Sequence, residues 1–155
     1  MIEWPRLVGT ICFQENPGFK AGNLDAIVVG WGRDEEDTFG EDLRQANVTI
    51  LSARQCERRL PKYDGFKDDL YCVDDDSGNE GGVCRGDSGG PLFYLNPKTR
   101  RYEVLGIVQG GFKVCGTEFW PNVFVDVNSP NIRSWIWGEI HIHVEIFILL
   151  MKYCL

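Results

Sequence analysis

Short apolar runs separated by turn residues dominate the hydrophobic pattern of this chain. Five of these runs combine β-branched and aromatic residues and are bounded by glycine, asparagine, aspartate or proline, as is typical of β-strands. No internal repeat and no long amphipathic helix accompanies them. The pattern therefore predicts an all-β domain built as an antiparallel barrel or sandwich, with strands over residues 24–31, 46–51, 91–94, 102–108 and 123–127.

Two segments depart from the strand pattern. Ser52 has the side chain of an N-cap, and residues 52–60 predict a short helix that Pro61 ends. Acidic residues and glycines fill residues 74–82. We interpret this segment as a solvated loop, because it lacks the ligand spacing of a calcium site.

Composition and charge favour a single globular domain and argue against several kinds of partner. The chain has 155 residues with 18 glycines and 7 prolines, which is the profile of one loop-rich globular domain. A formal net charge of -7 argues against nucleic acid as a partner. No apolar run reaches the roughly 18 residues that a membrane-spanning helix needs, and the start of the chain lacks the sections of a signal peptide. We therefore expect no membrane span and see no export signal.

Cysteine spacing points to disulfides. The six cysteines form no Cys-x-x-Cys pair, and His141 and His143 lie far from most of them along the chain. A structural zinc site is therefore disfavoured, and we expect no metal and no cofactor. Asn47 begins an Asn-Val-Thr triplet, which is a glycosylation site if the protein is exported.

A glycine-dense turn over residues 84–91 (CRGDSGGP) carries the chemistry. It leaves Ser88 uncrowded, and its glycines allow the backbone amides of Gly86 and Ser88 to point together at a developing oxyanion. A plain glycine-rich hairpin is the alternative interpretation of such a turn. The full octet, however, resembles the nucleophile loop of chymotrypsin-like serine proteases.

Further motifs support this resemblance in the family's order, from about residue 10 to residue 137: GWG at 30–32, LGIV at 105–108 and PNVFVDV at 121–127. The resemblance implies the second barrel of the chymotrypsin-like double-barrel fold, with one short intermediate helix and a C-terminal helix that starts near Asn131. It divides the chain into a leading strand or linker (1–23), the barrel (24–138) and an atypical apolar tail (139–155). For the tail, a helix extension, an interaction or aggregation segment and a non-native end all stay open.

The resemblance also implies the disulfide pattern. Ala26 and Tyr94 occupy both ends of a third bridge that many relatives have, so that bridge is absent. Cys12 resembles a family cysteine that bridges to a segment preceding the domain, so we expect it to be unpaired, with a bridge to Cys154 left open. Two bridges are expected, Cys56–Cys72 and Cys84–Cys115.

Catalysis in the resembled family needs a serine, a histidine base and an orienting aspartate. Ser88 maps to the nucleophile, the amides of Gly86 and Ser88 to the oxyanion hole, and Asp87 to the aspartate that pairs with a new N-terminus in activated relatives. No Ala-Ala-His-Cys-like motif precedes Ser88, and neither His141 nor His143 matches a family position. We therefore expect the chain alone to be inactive, and Asp87 to find donors other than an ammonium group or to rearrange.

The resemblance places Gly82 where trypsin-like relatives carry a charge-selecting aspartate at the pocket floor. Gly111 leaves one wall open and Asn122 crowds the other, which favours small or apolar substrate side chains over lysine or arginine. Gln109 and Gly110 depart from the usual residues and loosen the substrate-binding strand. The complete predicted pocket is Gly82, Val83, Arg85, Gln109, Gly110, Gly111 and Asn122.

Three functional interpretations remain. The first is an extracellular serine endopeptidase, incomplete here, whose missing N-terminal barrel supplies the base and which acts on polypeptide substrates. The alternative is a catalytically dead homologue that binds a protein partner or regulates it. The third is a partial product that forms no stable protein and aggregates through its exposed face.

Overall fold

Antiparallel strands account for most of the secondary structure. The computed structural model describes residues 11–14, 16, 19–33, 38–60, 69–75, 82–110 and 120–141. Within these ranges the elements are, in chain order, β1 (Cys12–Phe13), β2 (Leu24–Gly30), β3 (Arg44–Ile50), α1 (Ala53–Arg59), β4 (Leu70–Asp75), β5 (Pro91–Asn96), β6 (Arg101–Gly110), β7 (Asn122–Asp126) and α2 (Pro130–His141).

Six of the strands close into a barrel. They follow the order β6, β5, β2, β3, β4 and β7, every pairing is antiparallel, and β7 pairs again with β6. The short strand β1 adds to the start of β6 in parallel, with Cys12 opposite Glu103. The predicted all-β barrel with one short helix and a C-terminal helix is confirmed.

Alternate residues of the strands fill the barrel. Side chains of a strand point to opposite faces, so every second residue reaches the core. In β3, Val48 and Ile50 are buried while Asn47, between Ala46 and Val48, is exposed. The most completely buried side chains are Phe124, Ile50, Leu92, Leu105, Val48, Val73 and Pro121.

The first part of the predicted acidic loop belongs to strand β4, so the loop prediction is wrong there. Asp74 and Asp75, which we assigned to that loop, are the last two residues of the strand. Asp74 pairs with Thr49 of β3, and its Oδ1 lies 2.7 Å from Arg59 Nη1. Strand pairing overrides the low strand propensity of aspartate when a neighbour of opposite charge is available. The remainder of the predicted loop, up to residue 81, lies outside the described residues.

Helix α1 begins where Ser52 predicts, and α2 begins one residue before Asn131, near which we expected the C-terminal helix to start. Ser52 caps α1 and forms a reciprocal capping box with Gln55. Pro130 opens α2, and Ser129 Oγ accepts a hydrogen bond from the Ile132 amide at 3.4 Å. Residues 139–141, where the predicted tail begins, continue α2, and the rest of the tail lies outside the described residues. Neither helix is long and apolar enough, over the residues described, to cross a membrane.

A buried carboxylate ties β1 to the β5–β6 hairpin. Glu103 is 6% exposed. Its Oε2 accepts a hydrogen bond from Gln14 Nε2 and its Oε1 accepts one from Asn96 Nδ2, both at 2.7 Å. The carboxylate therefore serves two amide donors at once, which positions the leading segment on the barrel.

Replacing Glu103 with glutamine should lower the free energy of unfolding by about 1–3 kcal/mol. A glutamine side chain offers one oxygen to two donors, so its own NH₂ group would face an N–H group of Gln14 or Asn96. Urea denaturation of the oxidised chain measures the change, and Glu41→Gln at an exposed position is the matched control. Equal stability of the two variants would contradict a stabilising role for the network.

Candidate active site

The loop that carries Ser88 consists of two consecutive tight turns. The turns span residues 84–87 and 87–90, and each is closed by a backbone hydrogen bond between its ends, 3.1 and 2.8 Å long. The third residue of each turn has positive φ, +104° at Gly86 and +85° at Gly89. A type II turn needs glycine at this position. The geometry leaves Ser88 exposed as the second residue of the second turn.

The base of the loop is fixed to strand β6. The Gly89 amide donates to the Val108 carbonyl at 2.9 Å, and the Val108 amide donates to the Gly90 carbonyl at 2.8 Å. A Cβ at Gly90 would lie 2.8 Å from the Asp87 carbonyl oxygen, so no larger residue fits there. The serine is therefore presented from a rigid strand edge.

Backbone amides hold the carboxylate of Asp87. Oδ1 accepts a hydrogen bond from the Gly32 amide at 2.7 Å, and Oδ2 accepts one from the Cys84 amide at 2.8 Å. A Cβ added at Gly30 or at Gly32 would overlap this carboxylate, which explains why glycine flanks Trp31 on both sides. We expected Asp87 to find donors other than an ammonium group or to rearrange, and the Gly32 and Cys84 amides are donors of that kind.

The peptide bond between Arg85 and Gly86 has a fixed orientation. The Arg85 carbonyl accepts a hydrogen bond from the Arg33 amide at 2.9 Å. In a trans peptide the N–H points away from the C=O, so the Gly86 amide faces away from Arg33. Within the described ranges, neither the Gly86 amide nor the Ser88 amide donates a hydrogen bond, and both residues are exposed. Both amides are therefore available to an acceptor.

Gly82 and Asn122, which we predicted to line one pocket, lie beside each other. A Cβ at Gly82 would lie 2.9 Å from Asn122 Nδ2, so the asparagine amide fills the space beside the glycine. Val83 is 6% exposed and packs in the barrel core.

Two of the other predicted pocket residues, Arg85 and Gln109, lie at the surface. Arg85 and Gln109 are exposed, and the β6–β7 register shifts between Val108 and Gly110. Gln109 therefore lies at a bulge, which locally re-aims the strand. Gly111 lies outside the described residues.

One of the two expected disulfides joins described residues. Cys56 of α1 and Cys72 of β4 form a disulfide with a Cα–Cα distance of 5.5 Å, which confirms that pairing. Cys84 is also disulfide-bonded, and its predicted partner, Cys115, lies outside the described residues. The bond between α1 and β4 fixes the helix against the barrel.

We expected Cys12 to be unpaired. This expectation is wrong, because Cys12 is also disulfide-bonded. Spacing along the chain cannot reveal which cysteines meet in space, so connectivity is not deducible from sequence. Cys154, with which a bridge was left open, lies outside the described residues. Ala26 and Tyr94, the ends of the absent third bridge, instead belong to the apolar core and its lining.

Sequence reasoning missed two residues near the loop. Arg33 and Phe39 face each other across an isolated antiparallel bridge, and the Arg33 guanidinium lies 4.8 Å from the centroid of the Phe39 ring. A Cβ at Gly86 would lie 3.0 Å from Phe39 Cε1, so this ring lies against the loop. No local pattern marks either residue. His141 ends α2, and His143 lies outside the described residues.

A cavity elsewhere in the structure contains none of the residues of the serine loop. Its volume is about 450 Å³, and it lies between α1, the start of β4 and residues 19–22. Burial raises the pKa of Tyr71, and the nearby charge of Asp126 raises it further. Burial likewise raises the pKa of Asp126. Residues 82–90 do not line this cavity, so we assign the Ser88 chemistry to the loop alone.

Comparison with known proteins places the site in context. The family model described as Trypsin matches residues 2–136. The clotting factor G beta subunit of Tachypleus tridentatus is 28% identical over 137 residues, which cover 83% of this chain and 44% of that protein. The CLIP domain-containing serine protease HP8 of Bombyx mori is 32% identical over 114 residues, 73% of this chain and 30% of that protein.

A third relative, Limulus clotting factor C of Carcinoscorpius rotundicauda, is 33% identical over 123 residues, 76% of this chain and 12% of that protein. The chain thus spans less than half the length of each of these relatives.

Proposed function

Because this chain belongs to the trypsin family of serine proteases, we propose that it forms part of a serine endopeptidase domain in which Ser88 is the nucleophile. One observation carries the assignment. Asp87 is turned inward onto the Gly32 and Cys84 amides, and the same turn leaves Ser88 exposed beside an unengaged Gly86 amide. Attack by Ser88 Oγ on a peptide carbonyl would place the developing oxyanion near the Gly86 and Ser88 amides.

A serine hydroxyl is a weak nucleophile until a base takes its proton. In this family the base is a histidine, oriented by an aspartate. We propose that neither comes from this chain, that an N-terminal barrel supplies both, and that the chain by itself does not cleave peptides. The side chain of Trp31 is 59% exposed, and we propose that the other barrel covers it.

The Gly82 and Asn122 pair supports a preference for small or apolar substrate side chains. No carboxylate occupies the position of Gly82, so a lysine or arginine of the substrate has no charge partner there. The Asn122 amide also takes up space beside Gly82. The substrate class is therefore a polypeptide with a short or apolar residue before the cleaved bond.

We propose an extracellular location, at which the Cys56–Cys72 disulfide persists. Asn47 lies exposed in the middle of β3, so its side chain is accessible to glycosylation.

Ser88 reactivity tests the proposal directly. The folded, oxidised chain should label with a fluorophosphonate probe at least about a thousandfold more slowly than an intact protease of this family, because the base is missing. Added imidazole supplies a base from solution and should increase the labelling of Ser88 in proportion to its concentration. Mass spectrometry locates the modified residue.

Two variants control this experiment. Ser88→Ala should remove the imidazole-dependent labelling, and Ser134→Ala, at an exposed serine of α2, should leave it unchanged. Rapid labelling of Ser88 without imidazole would contradict the proposed inactivity. Imidazole-dependent labelling that persists in the Ser88→Ala variant would contradict the assignment of Ser88 as the nucleophile.

The space filled by Asn122 also favours a second function, a catalytically dead homologue that binds a protein partner. In that case the pocket has no catalytic role, and imidazole would not increase labelling at Ser88. The same experiment therefore separates the two functions.

A further inference from the structure

The Arg85–Gly86 peptide is held at both ends by one small substructure. At the Arg85 end, the carbonyl accepts a hydrogen bond from the Arg33 amide at 2.9 Å. At the Gly86 end, the Phe39 ring lies so close that a Cβ there would be 3.0 Å from Cε1. The Arg33 guanidinium lies 4.8 Å from the centroid of the same ring, and the two residues pair through an antiparallel bridge.

Phe39 contributes little to the apolar core, and its described contacts are with the serine loop and Arg33. The ring is 61% exposed and lies outside both apolar clusters, so it adds little to the barrel interior. Among the exposed large apolar residues that the structure describes, Phe39 lies against a glycine of positive φ, Gly86. Its described contacts are the Arg33 guanidinium and the Gly86 backbone.

We propose that Phe39, braced by Arg33, is a positioning residue that fixes the Gly86 amide in the orientation an oxyanion needs. The inference rests on the proposed role of that amide in the Ser88 reaction. Rotating the Arg85–Gly86 peptide would break the hydrogen bond from Arg33 and move Gly86 against the ring. Phe39 therefore opposes the rotation that would turn the amide away.

The proposal implies that the loop has two independent restraints. The Asp87 carboxylate holds the middle of the loop through the Gly32 and Cys84 amides. The Arg33–Phe39 pair holds the preceding peptide through a contact that needs no charge on Asp87. Loss of the aromatic ring should therefore loosen the loop without unfolding the barrel.

Amide hydrogen exchange of the folded, oxidised chain, followed residue by residue by NMR, tests the inference. Phe39→Ala should raise the exchange rates of the Arg33 and Asp87 amides, which are both hydrogen-bonded within the loop substructure, by about tenfold. The Gly32 and Cys84 amides should keep their exchange rates, because they donate to the Asp87 carboxylate, which is the independent restraint. Amides of the β2–β3 ladder should be unchanged.

Two further variants distinguish positioning from a general structural role. Phe39→Tyr keeps the ring and should restore the exchange rates of the original chain. Leu43→Ala truncates an apolar side chain that is 53% exposed, and it should leave the loop unaffected.

Equal effects of Phe39→Ala and Leu43→Ala would overturn the inference, and so would faster exchange throughout the barrel. Neither readout depends on Ser88 reactivity. A failure of the proposed reaction therefore appears in the labelling experiment, and a failure of the positioning role appears here.

Discussion

Gly30→Ala should destabilise the oxidised chain by about 3 kcal/mol or more, because it disrupts two hydrogen bonds at once. The added Cβ would overlap Asp87 Oδ1. The carboxylate would have to leave its site and abandon the Gly32 and Cys84 amides, which lie 2.7 and 2.8 Å from its oxygens. Urea denaturation followed by tryptophan fluorescence measures the loss.

A matched glycine controls for the change in backbone entropy. Gly138 lies within α2, and a Cβ added there meets nothing within 4 Å. Gly138→Ala should therefore stabilise the chain by roughly 0.5–1 kcal/mol, the usual gain of alanine over glycine in a helix. The same substitution is thus expected to lower the free energy of unfolding at Gly30 and to raise it at Gly138.

A double-mutant cycle identifies the cause of the loss at Gly30. In an Asp87→Ala background the overlapping carboxylate is gone, so Gly30→Ala should destabilise the chain much less than it does alone. Additive losses would show that Gly30 is restricted by something other than Asp87.

Phe124→Ala should lower the free energy of unfolding by about 3–5 kcal/mol, which is typical of a large buried aromatic residue replaced by alanine. Phe124 is 0% exposed and lies in β7, opposite Tyr71 of β4 and Val108 of β6. Strand β7 closes the barrel between these two strands. The substitution would therefore leave a cavity where β7 meets β4 and β6. Thermal or urea unfolding of the oxidised chain measures the change.

The same substitution at an exposed phenylalanine provides the comparison. Phe39→Ala should change the stability by less than about 1 kcal/mol, since its ring is 61% exposed. If both variants lost the same stability, the barrel core would not be centred on Phe124.

Several elements follow from local patterns alone. Apolar runs bounded by turn residues predict five of the strands to within three residues at each end, and Ser52 predicts the start of α1. Strand β4 was missed: no strand was predicted over residues 70–75, and Asp74 and Asp75 were assigned to a loop, although Thr49 and Val48 of β3 pair with them and Arg59 of α1 contacts Asp74. Pairing between distant strands supplies energy that a local pattern does not contain.

Some residues of the candidate site could likewise be predicted from the sequence, whereas their contacts with distant residues could not. The glycine-rich octet identifies Ser88, Gly86 and Asp87 as candidates through its resemblance to the nucleophile loop of chymotrypsin-like serine proteases. The sequence does not reveal that Asp87 meets the Gly32 amide, 55 residues away in the chain. It likewise gives no sign that Phe39 lies against Gly86.

The amino-acid sequence by itself determined five of the strands and the cap of α1, since each depends on neighbours a few residues apart, and resemblance to a known family identified the serine loop. Only the tertiary structure decided that Gly30 must be a glycine, that Cys12 is disulfide-bonded and that Phe39 contacts the loop. These features depend on closure of the barrel, which brings distant backbone groups within hydrogen-bonding and van der Waals distance. Such contacts depend on three-dimensional position, and spacing along the chain does not encode it.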